Sequence, residues 1–165
     1  ATRTPPATHA YRGGMTTVRV ATPADAPEAA GLLVDFNREF DAPTPGADRL
    51  APRLAALIAE GSTVVLLAER PATGIAVITY RPAIWHDGPV ALLEELYVWP
   101  GLRGRGLGAE LVSAMVDDAR ARGASLIEVH VDEADSEAVR FYLREGFVLL
   151  QPDTGERAFY LAREL

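Results

Sequence analysis

The chain contains no cysteine and no lysine. Without cysteine there can be no disulfide, no thiolate metal site and no catalysis through a sulfur nucleophile. Without lysine there is no mononucleotide P-loop, which needs that residue followed by Ser or Thr, and no lysine side chain of the protein's own to be acylated. All 16 basic residues are arginine. Histidine is scarce, with His9, His86 and His130 far apart, and no metal site is expected. No apolar run approaches the roughly 20 residues of a membrane span. No apolar signal core precedes Met15, and a cytoplasmic location is expected. Positive charge is outnumbered, 16 residues against 23 acidic ones for a net charge of −7. That balance argues against a nucleic-acid or anionic-membrane partner and is compatible with a cationic one.

With 165 residues, one compact domain is expected. It would cover 15–165, behind an extension at 1–14, rich in Thr, Pro, Arg and Gly, that reads as disordered. The most informative stretch runs from Val98 to Gly108. Before it, Ala91–Val98 reads as a largely apolar strand. After it, Leu107, Leu111, Val112, Met115, Val116 and Ala119 recur at helical spacing. A strand therefore enters a turn of glycine and arginine and passes directly into a helix. Such a turn leaves backbone N–H groups unpaired at a helix N-terminus, where the helix dipole reinforces them, and glycine lets the main chain approach an anion. Arg103 and Arg105 add positive charge. The stretch reads as a phosphate-binding loop.

Its glycines, at 101, 104, 106 and 108, miss the G-x-G-x-x-G dinucleotide spacing, because Trp99 stands where the first glycine belongs. What fits is Arg-x-x-Gly-x-Gly, as Arg103-Gly104-Arg105-Gly106-Leu107-Gly108, preceded by Leu96-Tyr97-Val98-x-Pro100. This pattern resembles the coenzyme A pyrophosphate loop of the GNAT superfamily of N-acetyltransferases. The resemblance implies acetyl-CoA as cosubstrate, held by Leu96, Tyr97, Val98, Arg103, Gly104, Arg105, Gly106, Leu107, Gly108 and Ala109.

A second motif lies downstream. Ile127, Val129 and Val131 alternate as in a half-buried strand. Ala138, Phe141, Tyr142 and Leu143 then form a helical stripe, with Asp135 or Ser136 able to cap its start and Gly146 to end it. The run Asp135–Phe147 resembles the other GNAT signature, Asn-x-x-Ala-x-x-(Leu/Phe)-Tyr-x-x-x-Gly-Phe. It implies that Tyr142 protonates the departing thiolate. Asp135 stands where the family has an Asn that bonds the pantetheine; an ionised Asp accepts such a bond but cannot donate one.

The remaining elements follow in order. Thr17–Val20 reads as a strand. Thr22 and Pro23 read as the N-cap and first position of a helix reaching about Phe40. A break at 41–46 precedes a second helix, Ala47–Glu60, ended by Gly61. Strands are expected at Thr63–Arg70, Ile75–Pro82 and Pro89–Val98, with a hairpin tip at 84–88 built on the turn dipeptide Asp87-Gly88. Two last strands are expected at Phe147–Gln151 and Ala158–Arg163. The resemblance covers about 17–165 and implies an α/β GNAT fold, a mixed, mostly antiparallel sheet with helices on both faces.

An amine must lose a proton before it can attack a thioester, which calls for a general base. Glu94 and Glu95 interrupt the apolar strand just before the loop. Neighbouring strand residues point to opposite faces, so only one of them should face a reacting group unless the strand is kinked. The family's strand carries a bulge near Leu96–Val98. The stretch from Ala83-Ile84-Trp85 through Leu92–Val98 further resembles spermidine/spermine and thialysine N-acetyltransferases. Carried over, Glu94 is the favoured base and Glu95 a substrate-binding carboxylate. Trp85 becomes a candidate substrate wall, and Glu39, with Asp35 and Asp41, part of an acidic lid. The expected activity is direct acetyl transfer, within a ternary complex, to a primary amine of a small cationic substrate, polyamine-like or aminoglycoside-like, by a homodimer. A protein lysine or N-terminal acetyltransferase and a non-catalytic acyl-CoA sensor are the alternatives.

Overall fold

The apolar run Thr63–Ala68 is buried along its whole length, as a strand covered on both faces must be. A computed structural model describes residues 11–13, 16–151, 153–157 and 159–163. Six strands lie side by side in sequence order: β1 (Tyr11–Gly13), β2 (Thr16–Val20), β3 (Thr63–Ala68), β4 (Gly74–Arg81), β5 (Val90–Val98) and β6 (Leu126–Val129). Every neighbouring pair from β1 to β5 is antiparallel. The helices are α1 (Ala26–Glu39), α2 (Ala47–Glu60), α3 (Leu107–Ala121) and α4 (Ser136–Arg144). The chain divides into two compact units, Ala1–Glu128 and Val129–Leu165.

Strand alternation sorts the first unit into two layers. Val65, Leu67, Ile75, Val77 and Tyr97 share one face and are buried with Ala29 and Leu32 of α1 and Leu54 of α2. The opposite parity meets α3: a Cβ at Gly74 would lie 3.2 Å from Leu111 Cδ1. On that same side the Tyr80 hydroxyl donates to the buried Asp118 carboxylate at 2.8 Å. Helices therefore cover both faces, as expected. The second helix runs from Ala47 to Glu60 and stops at Gly61, whose φ of 80° suits the left-handed C-cap.

Three expectations are corrected. Tyr11–Gly13, within the segment whose composition reads as a disordered extension, pairs with β2; residues 1–10 and 14 lie outside the described ones. The β4–β5 connection is no tight Asp-Gly turn, since the last pair is Arg81 with Val90 and residues 82–89 form an open loop. Gly88 serves a close approach instead: a Cβ there would stand 1.9 Å from the Gly123 carbonyl oxygen. In the second unit, 147–151 and 159–163 form no strand. A single bridge, Leu150 with Arg157, closes the turn between them. Ala158 lies outside the described residues. A two-stranded ribbon without a third strand or a helix to cover it is marginal, and Val148, Leu149, Phe159 and Leu161 stand exposed.

Candidate active site

β5 leaves the sheet at Val98, makes a short 3₁₀ turn over Pro100–Leu102 and enters α3 at Leu107. Between them Gly104 and Gly106 take φ values of 74° and 89°, a region open to glycine and costly for other residues. Gly106 is the N-cap of α3 and offers no side chain to its first turn. The first helical bond is Glu110 N–H to the Gly106 carbonyl, at 3.0 Å. Among the described residues, the backbone N–H groups from Gly104 to Ala109 therefore donate to no protein acceptor. A Cβ at Gly104 or Gly106 would meet nothing within 4 Å, so the space before these donors is open. An array of this kind is able to hold an anion such as a phosphate.

The two arginines of the loop do different things. Arg105 is exposed and has no hydrogen-bond or ion-pair partner among the described residues. Each guanidinium nitrogen of Arg103 has a protein partner: its Nε donates to the Val98 carbonyl at 2.9 Å, and its Nη atoms donate to both Glu39 oxygens at 2.6 and 2.8 Å. Its guanidinium also lies 5.7 Å from the centre of the Tyr97 ring. The side chain of Arg103 thus binds the end of α1 to the end of β5, and Glu39 is occupied by it. Tyr97 is buried; burial first, then the charges of Glu39 and Asp35, hold its phenol above its ordinary pKa, with Arg103 opposing.

The acidic pair sits on a bulge. Val77 pairs with Glu95 and Ile78 with Leu93, so Glu94 is the extra residue. The bulge lies at Glu94 rather than near Leu96–Val98, where β4 and β5 pair in continuous register. Its consequence is chemical. Glu95 shares the face of Val77, and Thr79 on that face donates its hydroxyl to Glu94 Oε1 at 2.6 Å. The inserted residue cancels the alternation that should separate neighbours, and both carboxylates come to the α1/α2 side of the sheet. Glu94 is exposed and Glu95 half-buried. Burial first, and then the charge of Glu94, push the Glu95 carboxyl above its ordinary value. Sequence reading overlooked Thr79; a hydroxyl near the end of an otherwise apolar strand was the available signal.

Two residue pairs further along the same strands, the 82–89 loop borders a hollow of about 400 Å³ lined by Ile84, Trp85, His86 and Leu126, with Arg81 bound to Glu128 at 2.8 Å. Trp85 is 92% exposed and covers nothing of the core. His86 Nδ1 lies 2.9 Å from the Ser125 hydroxyl. The second unit holds the other motif. Asp135 caps α4 by accepting the Ala138 N–H at 2.9 Å, which occupies one of its oxygens. Tyr142 stands edge-on to both Phe141 and Phe147, with ring centres 5.2 and 5.4 Å apart. Among the described residues no group of three or more His, Cys, Asp or Glu is placed to hold a metal.

A bulged acidic strand running into an uncapped, glycine-lined helix start, on an α/β sheet, is the layout of an acyl-CoA-dependent transferase. The sequence profile of the acetyltransferase (GNAT) family matches residues 31–147, and the chain belongs to that family. It is similar to the crystal structure of a protein described as an acetyltransferase from Arthrobacter sp. FB24, with 49% identity and a TM-score of 0.87 over 94% of this chain and 99% of that one. It is 33% identical to glucosamine 6-phosphate N-acetyltransferase 1 of Oryza sativa subsp. japonica, over 72% of this chain and 73% of the relative. Streptothricin acetyltransferase of Streptomyces lavendulae is 27% identical over 85% of this chain and 72% of its own. Two further relatives match only locally, the chain spanning 26% and 40% of their own lengths.

Proposed function

We propose that this protein transfers an acetyl group from acetyl-CoA to a primary amine of a small cationic substrate, polyamine-like or aminoglycoside-like, by direct transfer. The observation that carries the substrate class is the bulge at Glu94, which sets two carboxylates side by side on one face of the strand that feeds the phosphate cradle. The N–H groups of Gly104–Ala109 and the Arg105 guanidinium would hold the pyrophosphate, and the β5 edge at Leu96–Val98 the acyl and pantetheine portion. Acetyl-CoA, when bound, supplies the activated carbonyl carbon. The Glu94–Glu95 pair attracts the ammonium and takes its proton, leaving a neutral nitrogen whose lone pair can form the new C–N bond. Tyr142, through its motif, gives its hydroxyl proton to the sulfur as the C–S bond breaks. Relatives named for small polar amine substrates, streptothricin and glucosamine 6-phosphate among them, support a small-molecule acceptor. From the resemblance we also infer a cytoplasmic homodimer; a monomer mass in sedimentation would remove the second part.

The test is thiol release from acetyl-CoA across polyamines, aminoglycosides, amino acids and lysine peptides, with no background from a protein that lacks cysteine. Release with polyamines or aminoglycosides supports the reading. Release with peptides alone replaces it by protein acetylation, and tight cofactor binding without any release by a sensor. Tyr142→Phe should lower turnover about 10²-fold with little change in acetyl-CoA affinity. Unchanged turnover removes Tyr142 from the acid role.

A further inference from the structure

The resemblance treats the acidic pair as a base, Glu94, beside a binding group, Glu95. Their surroundings assign them the other way. Thr79 pairs with Leu92, so Glu94, two positions on, is its diagonal neighbour on the same face of the β4–β5 ladder. The Thr79 hydroxyl donates to Glu94 Oε1 at 2.6 Å. A donor at that distance fixes the carboxylate's orientation and occupies one of its two oxygens. Its second oxygen stays open toward solvent, where an ammonium group can dock. Glu95 accepts no side-chain hydrogen bond among the described residues and is the more buried of the two. It faces Glu94 on its own strand. From β4, the nearby cation Arg81 is bound to Glu128. From α1, Asp35 and Glu39 lie beside Tyr97, where Arg103 already neutralises Glu39. No free cation among these opposes proton uptake by Glu95.

We propose that Thr79 is a positioning residue that makes the bulged Glu94 a fixed ammonium anchor and leaves Glu95 as the group that takes the amine's proton. The inference rests on the acetyltransferase reading above. In the step it describes, one N–H bond of the substrate ammonium breaks and the proton passes to a Glu95 oxygen. The freed nitrogen pair then makes the C–N bond, the C–S bonding pair leaves on sulfur with a proton from Tyr142, and the nitrogen's second proton passes to the phenolate so formed, leaving a neutral amide and a thiol. The raised pKa of Glu95 suits that task, since a base works best when its pKa approaches the working pH.

The test uses the purified full chain, saturating acetyl-CoA, and spermidine or whichever panel amine turns over fastest. Thr79→Val should raise the amine KM about tenfold while changing kcat less than about threefold, and Thr79→Ser should restore the KM. Glu95→Gln should lower kcat about 10²-fold and flatten the acid limb of the kcat/KM profile. Glu94→Gln should raise KM and keep that limb. The assignment is overturned if Thr79→Val keeps the wild-type KM, if Thr79→Ser fails to restore it, or if the acid limb is lost with Glu94→Gln and retained with Glu95→Gln. Should Thr79→Val not fold, the serine and the two glutamine variants still decide. If the wild-type protein turns over no amine at all, the acetyltransferase reading itself falls, and that result is visible before any variant is made.

Discussion

The fold holds Glu95 where its ionised form is disfavoured. Its carboxyl titrates above the ordinary 4.5 because burial and the neighbouring Glu94 disfavour its ionised form. A raised folded-state pKa means that the group's contribution is fully present below its unfolded value and is lost as pH rises through the folded one. Glu95→Gln should therefore unfold at a temperature about 1–3 °C above wild type near pH 7, with the difference closing below about pH 4. A melting series across pH checks this, and a variant less stable than wild type at pH 7 would refute the sign. The chemistry of this residue was legible in the sequence, where two acids interrupt an apolar strand. Its orientation was not. Whether Glu94 and Glu95 point apart or together depends on which residue of β4 each one meets, and that partner lies some fifteen positions away.

Among the elements, the loop between β5 and α3 was the most legible, since uncapped N–H groups and left-handed glycines are consequences of local sequence. Its arginines look alike as sequence, but Arg103 meets Glu39 from 64 positions away, a pairing that periodicity cannot foresee. The two should separate experimentally. Arg105→Ala should weaken coenzyme A binding about tenfold through loss of a charge-assisted contact to phosphate. Arg103→Ala should change that affinity less, while lowering stability by about 1 kcal/mol for a partly exposed, bidentate pair. Titration calorimetry with coenzyme A and urea unfolding of both variants give the two readouts. Equal losses of affinity would return the Arg103 side chain to the cradle.

At the scale of the whole molecule, the first unit is tied together beneath α1 by an ion cluster around a buried arginine. Arg19 of β2 is 7% exposed and lies 2.8 Å from Asp25 and 2.9 Å from Glu28. Glu28 also accepts the Ala72 N–H at 2.7 Å, which joins the turn between β3 and β4 to the same point. Burial alone would push the Asp25 carboxyl up, but the Thr22 N–H and hydroxyl and the Arg19 charge together hold it below the ordinary 3.8. A lowered folded-state pKa gives stability that is present above the unfolded value and lost as pH falls through the folded one. Asp25→Asn should cost about 2 kcal/mol at pH 7, and the gap to wild type should narrow below about pH 4. Urea unfolding at pH 7 and pH 3.5 measures it; a gap that persists undiminished in acid would mean that the side chain acts by shape and not by charge.

Local sequence was enough for the order of helices and strands from β2 to α4, the stop of α2 at Gly61, the uncapped glycine turn before α3 and the family. Each of these follows from residues within a turn or two of one another. Folding was needed to show that the bulge falls at Glu94, that Thr79 holds one carboxylate and not the other, and that Arg103 reaches α1. It also decided that Gly88 exists to let the Gly123 backbone approach. These depend on register and on contacts between distant segments, and a strand's own pattern of side chains carries no record of the partner it will meet.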